Sequence, residues 1–154
     1  MIELANLVSP TRVARPGMLV AEVLRACVDA NVPGIPFQDA SGVFTGKASI
    51  RHILKVNCIP DFMVQHAHLL GGDIGHLAIP AEHVAQVLEL TIDPFVIPQM
   101  AVAESSTVLA KALALMEVAD TTYLFVIDDG EYKGAVSIMA IGRALLERGC
   151  RHDR

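Results

Sequence analysis

Arg15–Leu54 reads RPGMLVAEVLRACVDANVPGIPFQDASGVFTGKASIRHIL, and Glu104–Leu145 reads ESSTVLAKALALMEVADTTYLFVIDDGEYKGAVSIMAIGRAL. Side by side, the two stretches share few residues but agree in their apolar positions. Gly42 and Gly46 fall on Gly130 and Gly134 at an offset of 88. Residues before the turn match at 89, because the first copy carries one extra turn residue. Internal similarity of this kind marks one structural unit written twice. In the first copy Val20, Val23, Leu24, Cys27 and Val28 recur at the spacing of one helical face. Leu109, Ala112, Leu113 and Met116 repeat that stripe, with Ser105 or Ser106 as N-cap. Short strands follow at Ile35–Gln38 and Tyr123–Ile127. The links Asp39–Gly42 and Asp128–Gly130 have hairpin chemistry, since Asp and Gly tolerate the positive φ of tight turns. Return strands span Val43–Ala48 and Glu131–Val136. A last helix opens at Ser49 or Ser137, with Ile50, Ile53 and Leu54, or Ile138, Ile141 and Leu145, expected to face inward.

Composition narrows the function. Hydrophobic residues make up 53% of the 154 and charged residues 19%, enough apolar material for a core and too much for disorder. A mean hydropathy of +0.46 points to apolar surface buried against another chain. No apolar run approaches the roughly 18 residues needed to span a bilayer. The start MIELANLVSPTR lacks the layout of a signal peptide, so a soluble, cytoplasmic protein is expected. The net charge of −5 and the absence of tryptophan argue against nucleic acid, which calls for a basic face and stacking platforms. Cys27, Cys58 and Cys150 form no CxxC pair, and Cys27 reads as a core residue.

Between the copies, Lys55–Thr91 has its own content. Ile79-Pro80-Ala81-Glu82 reads as a helix start and Val84, Val87 and Leu88 as an apolar stripe, with a break at Gly71-Gly72. A helical excursion is expected, packing on the pair or offering a partner surface. Five of the six histidines lie between His52 and His83, but no spacing matches a known zinc pattern. No metal site is expected. GxSxG, P-loop and GxGxxG motifs are also lacking. Asp128-Asp129 reads as turn residues, so neither catalytic residues nor enzymatic activity are expected.

Each copy ends with a glycine, two further residues and a serine that opens the last helix: Gly46-Lys-Ala-Ser49-Ile-Arg-His52 and Gly134-Ala-Val-Ser137-Ile-Met-Ala140. With Ile35-Pro36-Phe37 opening the first middle strand, the chain resembles a freestanding pair of cystathionine-β-synthase-type (CBS) domains, or Bateman module. The resemblance covers roughly residues 8–54 and 94–148, with 55–93 as a linker of helical content. It implies an α/β fold (α+β by some schemes) of two β-α-β-β-α units related by a pseudo-twofold axis. It further implies a regulatory module, often a dimer, with two clefts for AMP, ADP, ATP or S-adenosylmethionine.

In such a cleft a Ser or Thr at a helix N-terminus suits a phosphate or sugar oxygen, and an Asp one turn later accepts from the ribose hydroxyls. Here His52 and Ala140 stand where that Asp is expected. Imidazole can replace one hydrogen bond and alanine none, a loss of about 1.5–3 kcal/mol per charge-assisted bond. The preferred cleft is therefore the first, drawn from Arg12, Val13, Arg15, Gly34, Ile35, Pro36, Ser49, Arg51 and His52. Arg15, Arg51 and Lys55 would supply positive charge. The second, drawn from Val102, Tyr123, Leu124, Phe125, Ser137 and Ala140, has lost its ribose anchor. The plain alternative is that Ser49 and Ser137 only cap helices and the cations are surface charges. On that reading the protein is a homodimeric interaction module with a protein partner and no nucleotide.

Overall fold

The computed structural model describes residues 2–69, 71 and 79–151. In unit 1, helix α1 (Val20–Ala30) leads into the antiparallel strands β1 (Gly34–Gln38) and β2 (Phe44–Ser49), then α2 (Ile50–Cys58). In unit 2, β3 (Val102–Ala103) precedes α5 (Leu109–Val118), β4 (Tyr123–Asp128), β5 (Glu131–Ser137) and α6 (Ile138–Cys150). Between them lie α3 (Asp61–His66) and α4 (Ala81–Leu88).

The two copies match down to their irregularities. Ile35 pairs with Ala48 as Leu124 does with Val136, and the register slips after Phe37 as it does after Val126. Asn31 and Asp120, just beyond α1 and α5, both take the left-handed conformation, with φ of 54° and 49°. The second turn is a two-residue hairpin link, with Asp129 and Gly130 both at positive φ. In the first turn the Asp39 carboxylate accepts from the backbone N–H groups of Ser41 (2.9 Å) and Val43 (3.0 Å).

What locks the units together is an exchange of backbone. Ser9 of the N-terminal segment pairs with Ala135 on β5, each N–H donating to the other's carbonyl at 2.9 Å. Ile97, leading into unit 2, pairs in the same way with Lys47 on β2, at 2.8 and 3.0 Å. Each unit thus completes the other's sheet. Leu4, in the short 3-10 turn Leu4–Leu7, is buried in the core of unit 2 with Ala112 and Met116. Phe95, in the turn Asp93–Phe95, is buried in the core of unit 1 with Ile53. Gly46 and Gly134 permit the close approach: a Cβ on Gly46 would meet the Ile97 carbonyl, and one on Gly134 the Ser9 carbonyl. These equivalent neighbours are what a half-turn between like units requires.

Several sequence expectations need correction. Val28 is 72% exposed, and Ala26 takes a place in the core instead. Leu54, Ile138 and Leu145 also face outward, because α2 and α6 meet their sheets along narrow stripes centred on Ile53 and Ile141. Neither Ser105 nor Ser106 caps α5, whose N-cap is Val108. The Asp128 carboxylate captures Ser105 first, accepting from its N–H (2.8 Å) and its hydroxyl. Ser49 and Ser137 do hold the N-cap positions of α2 and α6, and Ser137 Oγ accepts from the Ala140 N–H. The helix expected after Pro80 is α4, with Val87 buried and Val84 39% exposed. It returns to unit 1, where the Val20 N–H donates to the Leu90 carbonyl at 2.8 Å. Gly72 of the expected Gly71-Gly72 break lies outside the described residues. Among the described residues, no helix is long and apolar enough to cross a membrane.

A pair of inter-unit clefts as the candidate functional site

Strand alternation decides which side chains face the other unit. On β4, Leu124 and Val126 point into the core of unit 2, while Tyr123 and Phe125 join a separate cluster between the units. On β1, Ile35 and Phe37 are core residues of unit 1. Tyr123, Phe125 and Tyr132 stack edge to face, with centroids 5.6 and 6.1 Å apart. Phe44 meets its own repeat counterpart Tyr132 at 5.9 Å, so these rings straddle the axis. The Tyr132 hydroxyl is hydrogen-bonded to Thr11 Oγ1 (2.6 Å), and burial pushes its phenol up to about 12. On β1 the position equivalent to Tyr123 is Gly34, and the Tyr123 ring fills the space a Cβ there would need.

Two clefts flank this cluster, each walled by the last strand and helix of one unit and the first helix of the other. One, of about 370 Å³, is lined by Cys27, Val28, Asn31 and Val32 of unit 1 and Ser137, Ile138 and Met139 of unit 2. The other, of about 240 Å³, is lined by Lys47 and Arg51 of unit 1 and Glu117, Asp120, Thr121 and Tyr123 of unit 2. Pro33 and Thr122, equivalent in the repeat, touch both.

The smaller cleft holds the unusual chemistry. Lys47 is only 6% exposed, yet no hydrogen bond or ion pair engages its ammonium among the described residues. Its Nζ lies 4.9 Å from the centroid of the Tyr123 ring, a cation–π contact. Burial pulls its pKa below the usual lysine value, repulsion from Arg51 adds to this, and Asp120 opposes it. The buried hydroxyls of Tyr123 and Thr121 also lack a hydrogen-bond partner. Burial pushes the Tyr123 phenol up to about 12, against the lowering pull of the nearby Ser49 and Thr121 hydroxyls. Two buried hydroxyls without a hydrogen-bond partner are a costly arrangement, and such groups are rare in folded proteins.

No protein-family model matches the sequence, and no curated protein does. Solved structures, by contrast, match nearly end to end. A CBS domain-containing protein of unknown function from Bacillus anthracis superposes with a TM-score of 0.64 at 19% identity, over 96% of this chain and 94% of that one. CBSX2 of Arabidopsis thaliana, solved in complex with AMP, gives 0.63 at 20% identity, over 97% and 99%. A CBS domain pair in complex with 5′-methylthioadenosine and S-adenosyl-L-methionine gives 0.64 at 16%, over 96% and 98%. The chain folds as a tandem CBS-domain pair.

Within the CBS pair, the residues expected in the first cleft are dispersed. Arg51 lines the smaller cleft, and Ser49, 7% exposed, lies beneath it near Tyr123. Arg12, Val13 and Arg15 line a different, open hollow beside Gly17 and Glu22. Ile35 is spent in the core, Pro36 is fully buried, Gly34 lies under Tyr123, and His52 is half-buried on α2. Of the second set, Ser137 lines the larger cleft and Tyr123 the smaller. Leu124 is core, Phe125 is interface, Val102 is 39% exposed, and Ala140 is half-buried beside the Ser137 cap. Lys47 went unnoticed in the sequence, because a lysine in a strand reads as a solvent-facing residue. The signal was its place directly after Gly46, where the last strand has turned inward.

Proposed function

We propose that this CBS pair is a regulatory, non-catalytic module that binds an adenosine-containing ligand bearing phosphate in the Lys47–Arg51 cleft. The observation that carries this reading is the Lys47 ammonium, without an ion pair among the described residues, lining one cleft with the unpartnered Tyr123 and Thr121 hydroxyls. A phosphate would supply acceptors for the ammonium and both hydroxyls together with a charge-assisted contact to Lys47 and Arg51. The AMP complex of CBSX2 supports the adenosine part, by likeness of fold. His52 can replace only one of an aspartate's hydrogen bonds to ribose and Ala140 none, so affinity rests mainly on the phosphate.

Thermal shift with AMP, ADP, ATP and S-adenosylmethionine tests this. A ligand at 100 times its Kd adds about 2.7 kcal/mol of stability. A shift lost in Lys47→Met and in Arg51→Ala is expected; an unchanged shift in both variants contradicts the reading.

Exposed Val28 (72%), Val118 (86%) and Leu146 (72%) favour a second reading, self-association or docking to a protein partner through the helices. Sedimentation of the chain alone reports this independently of nucleotide, with a homodimer as the expected species.

A further inference from the structure

The two clefts are one site written twice with opposite chemistry. Lys47 and Arg51 on one wall have Ala135 and Met139 as their repeat equivalents, and Glu117 and Asp120 on the facing wall have Val28 and Asn31. All four charged positions of the smaller cleft are uncharged in the larger. We infer that this chain binds one nucleoside monophosphate, at Lys47 and Arg51, and that Glu117 and Asp120 discriminate against di- and triphosphates. The inference rests on the reading that this cleft takes a phosphorylated ligand.

A phosphomonoester carries about two negative charges, which Lys47 and Arg51 match. Each further phosphoryl group brings more negative charge into a cleft of about 240 Å³ whose other wall is acidic. Like charges at such range repel, and the exposure of Glu117 and Asp120 screens but does not cancel this. Among the described residues no cation lines the larger cleft, so it adds no second phosphate site.

Calorimetric titration of the whole chain with AMP, ADP and ATP in metal-free buffer decides it. Expected are one site per chain and an affinity about tenfold weaker for ATP than for AMP. In the double variant Glu117→Gln/Asp120→Asn, both changes at exposed positions, affinity should rise for both nucleotides, more for the more highly charged ATP, so that the gap closes. Two sites per chain, ATP binding as tightly as AMP, or a gap that survives in the double variant would overturn the inference and leave the reading it rests on intact. No nucleotide binding at all would overturn both.

Discussion

Lys47 answers to two neighbours at once: its backbone pairs with Ile97, and its ammonium rests over the Tyr123 ring. Because its folded pKa lies below 10.5, the unfolded chain holds the proton more tightly. Stability without ligand should therefore rise with pH between the folded value and 10.5, a gain that Lys47→Met abolishes. Anion affinity runs the other way, falling as Lys47 loses its proton, with an onset below 10.5. Nucleotide titrations from pH 7 to 10.5 check the sign, and an affinity flat across that range would deny Lys47 its role. At the same scale, the sequence disclosed Arg51 and Ser49 but not Lys47 or Thr121. Their significance comes from burial against the other unit, which no local pattern records.

The hairpin turns and the glycines behind them were legible as elements. Asp-Gly in a short link between apolar runs dictates positive φ whatever surrounds it, and Gly130 at φ 78° with no neighbour within 4 Å is the pure case. Gly130→Ala should cost about 1–2 kcal/mol in denaturant melts, the penalty for a left-handed alanine. Gly134→Ala adds a steric clash with Ser9 and Val8 to a φ of 147°. It should cost roughly 2–4 kcal/mol, and equal losses at the two glycines would mean the backbone of Ser9 does not lie there. Helix faces were less legible. The stripes that include Val28 on α1, Leu54 on α2 and Leu145 on α6 have the right period, but period alone does not say how wide a strip the sheet covers.

At the scale of the molecule, the repeat announced two like units, while their exchange of N-terminal segments stayed hidden. Leu4 precedes unit 1 in sequence and belongs to the core of unit 2 in space. Leu4→Ala should remove about 2–5 kcal/mol. Hydrogen exchange should quicken first in β5 and α6 rather than in α1 and β1, and the opposite order would refute the exchange. Phe95→Ala should mirror this in unit 1. The same arrangement explains the clefts: two units that finish each other's sheets are held in one fixed orientation, so their facing walls stay in register.

The most direct test of that account is chemical-shift mapping of the isotope-labelled chain during titration with AMP. The largest changes should fall on Lys47, Arg51, Thr121 and Tyr123, where the two units face each other. Changes centred on the Arg12–Arg15 hollow, or on the cleft lined by Val28 and Met139, would contradict it.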